Sequence, residues 1–305
     1  MVTSDLFLVT GAGGGTGSVS RIVLDSLLAH GVPVRAMVHR DDRRADELRA
    51  RGAEVAVGDL TRPADVAAVL DGVGRMYFSM SVSPDYLLAA TVVATVARER
   101  GTLDCLVNMS QMTVGQMTAT STAESHQQRL HWLSEQVLNW SGLPLVHVRP
   151  TMFLDNPLFT TLAALSIREN GTLALPFGTG RTSPVSADDV ARVVATVLRE
   201  PAPHVGHVYE LTGPRTLDMN GVAEEFSRGL GRPVAYVDVP LDQWTTTVLS
   251  KAGLPPHTVQ HITTMARLHQ ENRYDRATDD VERLTGRPPR TIESYVSARR
   301  DFYLG

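Results

Sequence analysis

The stretch Val9-Thr10-Gly11-Ala12-Gly13-Gly14-Gly15-Thr16-Gly17 restricts what this chain can fold into more than any other. It follows the apolar run Leu6-Phe7-Leu8-Val9 and precedes a helical pattern with Val19, Ile22, Val23 and Leu27 on one face. Strand, glycine turn and helix in that order form a seat for a dinucleotide diphosphate. Gly11 permits the tight turn, Gly14 lets the backbone approach the diphosphate, and Gly17 lets the helix pack closely on the strand. Unpaired N–H groups at the helix start then face the negative charge. Gly11, Gly13, Gly14, Gly15, Thr16 and Gly17 are therefore the first candidate ligand-binding residues. A flexible surface loop would not need the flanking strand and helix.

The first 150 or so residues repeat this alternation. Strands are expected at Pro33–His39, Glu54–Asp59, Met76–Ser81, Leu103–Met109 and Leu145–Arg149. Helices fill the gaps, around Ala45–Leu48, from a Thr61 cap through Leu70, from Pro84 to Arg100, and over 125–140 with Leu130, Leu133, Val137 and Trp140 as its core stripe. Such alternation predicts an α/β fold with a doubly wound parallel sheet, because each crossover helix enforces the same hand. Beyond Pro150 the rhythm loosens. Gly171–Gly180 reads as turns, Asp188–Arg199 as a helix, Tyr209–Thr212 as a strand, and 241–303 as helices broken near Gly253 and Gly286. Two domains are expected: 1–155 as the dinucleotide-binding domain and 156–305 as a smaller, mixed but mainly helical substrate-side lobe.

Composition narrows the class. A net charge of -4 supplies no basic footprint for nucleic acid. No apolar run reaches the roughly 20 residues that span a bilayer, and no leader pattern is visible, so a cytoplasmic protein is expected. The single cysteine, Cys105, lies in an apolar strand and reads as an inert core thiol. No metal site is expected. A homodimer through an exposed helix pair is left open.

Cofactor preference is written at the end of the second strand. An acid about 20 residues past the glycines would favour NAD. Here the segment reads Val38-His39-Arg40-Asp41-Asp42-Arg43-Arg44. Arg40, aided by His39 and by Arg43 or Arg44, is expected to hold the 2′-phosphate of NADP with a forked guanidinium. NAD stays the alternative, because Asp41 and Asp42 stand close enough to oppose a phosphate and the charges also suit a solvated helix start. Asp59 reads equally as an adenine-side contact or a helix cap. Leu60 beside it, with Met80 and Ser81 after the fourth strand, is assigned to the same crevice.

Together these residues resemble the NmrA-like, atypical short-chain dehydrogenase/reductases. The resemblance rests on the glycine loop, Val34-Arg35-Ala36-Met37-Val38-His39, Val57-Gly58-Asp59-Leu60 and Ser141-Gly142-Leu143-Pro144. It continues through Arg149-Pro150-Thr151-Met152-Phe153 with Asn156, Ser186-Ala187-Asp188-Asp189-Val190-Ala191 and Leu284-Thr285-Gly286-Arg287-Pro288-Pro289. It implies a Rossmann-type NAD(P)-binding fold and, across the family, either quinone, azo or triphenylmethane dye reduction or a cofactor-binding redox sensor. The chain departs from the wider superfamily in one respect. Matching Glu135 and Leu138 to the family's usual Glu and Leu puts Gln127 where the catalytic Tyr would stand and His131 where the Lys would stand. Alcohol–ketone chemistry through an activated phenol is thereby disfavoured.

Hydride transfer needs mainly positioning. His131 could supply a proton near neutrality or be a structural surface histidine, and Ser110, after the fifth strand, is a candidate bond to substrate oxygen or the nicotinamide ribose. Met80, Met109, Met112, Met117 and Met152, with Phe153, cluster at predicted strand ends and suggest an adaptable apolar pocket for a flat conjugated ligand. Core packing is the competing explanation. The expected activity is NAD(P)H-dependent reduction of a small quinone, enone or azo compound. The alternatives are a non-catalytic sensor that binds a protein partner and a cofactor-assisted isomerase.

Overall fold

The computed structural model describes residues 5–14 and 19–305. In chain order it contains β1 Leu6–Thr10, α1 Val19–Ala29, β2 Val34–Val38, α2 Arg43–Ala50, β3 Glu54–Val57, α3 Pro63–Val69, β4 Val73–Phe78, α4 Tyr86–Arg100, β5 Cys105–Met109, α5 His126–Trp140 and β6 Leu145–Pro150. There follow α6 Ala163–Asn170, β7 Thr172–Leu175, α7 Ala187–Arg199, β8 Val208–Leu211, α8 Met219–Leu230, β9 Ala235–Asp238, α9 Leu241–Thr247, α10 Pro256–Gln270, α11 Asp280–Thr285, α12 Ile292–Ser297 and α13 Arg300–Leu304.

Tertiary contacts group these elements into two compact units. The first is drawn from the residues up to Val114, from Arg129–Arg149 and from Val190–Tyr209; the second is drawn from Gly115–Gln128, Pro150–Asp189 and Glu210–Gly305. A single cut at residue 155 was the sequence expectation, whereas the units are interleaved along the chain.

The first unit is built on a sheet in the order β3-β2-β1-β4-β5-β6-β8. Successive neighbours from β3 to β6 are parallel, and strand order reverses on either side of β1. That reversal is where an open α/β sheet leaves a crevice beyond its carboxyl ends. The strands are apolar on both faces because helices cover both: Leu8, Val9, Tyr77, Phe78, Leu106 and Val107 are fully buried. One core layer joins Leu8, Met76 and Leu106 of the sheet to Val66 of α3, Val93 of α4 and Leu138 of α5. Cys105 is buried as well, and desolvation pushes its thiol up to about 12, which makes it the inert thiol expected.

Three local expectations need correction. Thr61 does not cap α3: the cap position is Arg62, while the Thr61 N–H and hydroxyl donate to Asp59 Oδ1 at 2.9 and 2.7 Å. An Asx turn has claimed the residue, which is what a short carboxylate two positions upstream does. Trp140 is not core but 76% exposed, since α5 buries Leu130, Ser134, Glu135 and Leu138 instead. Thr172–Leu175, inside the stretch read as turns, is a strand.

That strand belongs to the second unit, where β7 pairs in parallel with β9, Thr172 opposite Ala235 through Leu175 opposite Asp238. Its core gathers Leu154, Phe159, Ile167, Leu173, Phe226 of α8, Trp244 of α9, and Tyr295 and Tyr303 near the carboxyl end. The two tyrosines keep polar partners inside it, Tyr295 donating to Asp155 and Tyr303 to the Phe159 carbonyl, each at 3.0 Å. No helix among the described residues is long and apolar enough to cross a membrane.

Candidate active site

The crevice opens where β1 stops. Thr10 anchors that point: its hydroxyl donates to the Ser79 carbonyl at 2.8 Å and accepts the Ser79 N–H at 2.9 Å, tying β1 to the segment after β4. Gly11 then turns with φ 76°, and a Cβ there would lie 2.9 Å from the Ser79 oxygen and 3.0 Å from Ser20 Oγ. Both conformation and space demand glycine. The Gly14 N–H closes the turn on the Gly11 carbonyl at 3.1 Å. Gly58 keeps the opposite wall thin, since its Cβ would meet Met37 Cε at 2.9 Å.

These walls enclose about 300 Å³, lined by Gly11, Gly13 and Gly14 below, by His39 and Arg40 after β2, by Asp59 and Leu60 after β3, and by Met80 and Ser81 after β4. The cofactor candidates named from sequence are thus brought to one cavity, except Gly15, Thr16 and Gly17, which lie outside the described residues. A backbone floor without side chains, a basic rim and an acid at the far end fit a dinucleotide's diphosphate, phosphorylated ribose and adenine-side hydroxyls. Asp59 is held below the usual carboxylate range by the hydrogen bonds from Thr61, so it meets a ligand as an anion and acceptor.

Arg44, expected with Arg43 to aid Arg40, lines the cavity, and so does Asp42, which sequence reasoning had placed only nearby. Asp42 caps α2, its Oδ1 accepting the Arg44 N–H at 2.9 Å. The Arg44 guanidinium folds back onto the same carboxylate, Nη2 to Oδ2 at 2.6 Å and Nε to Oδ1 at 3.1 Å, while Nη1 donates to the Gly13 carbonyl at 3.1 Å. Hydrogen bonding from Arg44 pulls the Asp42 carboxyl down to about 2. Asp41 is taken by Arg49 at 2.8 Å and Arg43 by Glu47 at 3.5 Å, which removes both from the cavity. The signal was present in the sequence, because an Asp cap reaches the N–H two residues on.

Ser110, just past β5, donates its N–H to the Val148 carbonyl at 2.8 Å, and its hydroxyl is buried with no hydrogen-bond partner among the described residues. A buried hydroxyl without a partner is costly unless something else completes it. His131 stands on α5 with its ring 4.0 Å from that of Tyr86. Tyr86 in turn donates to the carbonyl of Met109, the residue before Ser110, at 2.8 Å. Burial raises the Tyr86 phenol, so it remains protonated and acts as a brace. Sequence reasoning missed it, since an aromatic opening an Ala/Val-rich helix looks like core alone.

The remaining pocket candidates divide between the units. Met109 and Met112 belong to the first, where Met112 is buried; Met117, Gln127, Met152 and Phe153 belong to the second. Met152 is part of the second unit's core, and Phe153 bridges to Val185. Gln127, fully buried, accepts from His257 Nε2 at 2.7 Å. Among the described residues no group of three or more His, Cys, Asp or Glu side chains is placed to hold a metal ion.

A sequence model of the NmrA-like family matches residues 4–296. The chain belongs to the NmrA-like family. Within its wider similarity, an NAD(P)H azoreductase of Xenophilus azovorans is 32% identical over 287 residues, 93% of this chain and 96% of that protein. An NADPH-dependent quinone oxidoreductase of Escherichia coli, solved with NADPH, superposes with a TM-score of 0.82 at 23% identity over 96% of this chain and 99% of the other. NmrA, a negative transcriptional regulator solved with NADP, does so with a TM-score of 0.80 at 20% identity, covering 97% and 95% of the two chains. At such identities the two superpositions speak for the shared Rossmann-like fold.

Proposed function

We propose that this NmrA-like protein is an NAD(P)H-dependent reductase that delivers hydride to a small conjugated or aromatic electrophile of quinone, enone or azo type. The observation that carries the reading is the glycine-floored crevice with Arg40, Arg44 and His39 on its rim. Its similarity to an azoreductase along nearly its whole length supports it. Bound nicotinamide supplies the hydride, which leaves the protein the work of binding and orientation. In this reading the glycine floor of Gly11, Gly13 and Gly14 faces the diphosphate, Arg40 the 2′-phosphate of NADPH, and Asp59 the adenine side. NADPH is preferred and NADH is accepted.

Neither Tyr nor Lys occurs in His126–Trp140, so no activated phenol protonates the product. Electrophiles whose reduced forms are stabilised anions suit such a site. The Ser110 hydroxyl bonds the substrate oxygen or the nicotinamide ribose, and His131 donates the proton. Residues 1–155 carry the cofactor functions and, with Ser110 and His131, the groups proposed to meet the substrate. Met109 and Met112 of the first unit are assigned to substrate binding. The same reading places the protein in the cytoplasm, with a small-molecule substrate, no nucleic-acid or membrane partner, and a homodimer as an open possibility.

Mixing protein and NADPH with a panel of quinones, enones and azo dyes tests this through loss of reduced-nicotinamide absorbance. Turnover on at least one class is expected. Tight dinucleotide binding with no turnover on any would instead favour a redox sensor, the reading consistent with the fold shared with the NmrA regulator.

A further inference from the structure

At the rim of the crevice an acid and a base occupy one another. Arg44 grips Asp42 through two nitrogens and holds the Gly13 carbonyl with a third, so its guanidinium already lies on the cavity wall beside the glycine floor. Arg40 lines the same cavity and has no hydrogen-bond or ion-pair partner among the described residues. The two cations therefore differ: one is available, the other engaged.

We propose that Asp42 and Arg44 form a two-position latch that sets cofactor preference, an inference that rests on the reductase reading's dinucleotide site. Closed, as observed, the latch neutralises its own charges and leaves the outer lone pairs of the Asp42 carboxylate to accept hydroxyls of an unphosphorylated ribose. A 2′-phosphate opens it by drawing the Arg44 fork away from Asp42 to join Arg40.

Three features make the exchange inexpensive. Both side chains are partly exposed, at 52% for Arg44 and 37% for Asp42, and an ion pair in that setting contributes little. A phosphate dianion offers the same fork-shaped partner with more charge. The hold of Arg44 on Gly13 keeps its guanidinium at the wall, so a rotation suffices. Asp42 cannot follow, because its Oδ1 is also bound by the Arg44 backbone N–H at the start of α2. It stays beside the phosphate as an opposing charge. One acid thus favours NADH and penalises NADPH, which suits a protein that accepts both.

The test is the ratio of dissociation constants for NADPH and NADH, measured by titration of the whole chain. Asp42→Ser keeps a capping oxygen and removes the charge. It is expected to tighten NADPH and loosen NADH, each by about five-fold. Asp42→Asn repeats the test with the side-chain shape retained, should the serine variant fold poorly. Arg44→Gln is expected to weaken NADPH by about five-fold while leaving NADH unchanged. An unaltered ratio in Asp42→Ser and Asp42→Asn, with both dinucleotides still bound, overturns the latch and leaves the reductase reading standing. Failure of the wild type to bind either dinucleotide overturns that reading itself.

Discussion

The two compact units handle polar side chains in opposite ways. In the first, Arg40, Arg44, Asp42 and Asp59 stand around an accessible crevice, where Arg44 and Asp42 hold one another at a partly exposed rim. In the second, two histidines are turned inward. His269 is fully buried, stacked between Phe177 at 4.3 Å and Tyr274 at 3.8 Å, with Nδ1 donating to the Met265 carbonyl. His261 Nδ1 and the Ser125 hydroxyl share a hydrogen bond at 2.8 Å, and Ser125 also exchanges hydrogen bonds with Gln128 in a reciprocal cap at the start of α5. One unit keeps its charges for exchange with a ligand; the other fixes its neutral imidazoles as structure. Ligand should therefore act on the first, while acid acts on the second through these two imidazoles and on the first through buried His147, whose pKa burial also lowers.

Acid should give the largest response. Burial pushes both His261 and His269 down to about 4, against an ordinary 6.5. Between those values the unfolded chain binds protons that the folded chain refuses. Stability from these groups is full above about pH 6.5, declines as pH falls towards 4, and levels off below. Each histidine accounts for about 2–3 kcal/mol at pH 4.5. Calorimetric melting from pH 7.5 to 4.5 reads the loss, and His269→Phe, which preserves the ring stack, should remove close to half of it. A variant as acid-sensitive as the wild type would break the contrast at its second half.

Next in size is Gly11→Ala. The added methyl meets the Ser79 carbonyl and requires a left-handed backbone. Dinucleotide affinity is expected to drop about 100-fold, near 3 kcal/mol, with a lowered melting temperature. An unchanged dissociation constant by calorimetry would show that the floor does not depend on the glycine. His131→Gln and Ser110→Ala should each lower kcat about ten-fold while NADPH affinity holds, separating proton supply and substrate orientation from cofactor binding. Wild-type turnover in both would clear them of any role. The smallest effect belongs to Trp140→Ser: at 76% exposure the ring should change stability by less than about 0.5 kcal/mol in urea melts.

The parallel sheet was legible because strands covered on both faces are nearly continuous apolar runs, such as Leu6–Val9 and Cys105–Val107. β7 was not, because four residues between Gly171 and Pro176 carry too little pattern, and their partner β9 lies far along the chain. Trp140 misled for a related reason. A helical stripe extrapolated from Leu130 assumes that the buried face is apolar, whereas α5 buries Ser134 and Glu135, the latter paired with Arg149 at 2.5 Å. The glycine loop and strand-end residues of the crevice were readable because backbone geometry dictates them. The backbone half of the Asp42–Arg44 pairing could have been read from the Asp cap, but its side-chain half could not, because an acid near a phosphate site was weighed as repulsion.

The interleaving of the two units has a consequence for how the molecule is made. Residues 190–209 complete the first unit, yet the crevice lining ends at Ser81. A ribosome must release more than two hundred residues before that unit is whole, so a nascent chain holds the edge of β6 unpaired until β8 emerges. A fragment ending at residue 155 should accordingly aggregate rather than behave as a free-standing nucleotide-binding module.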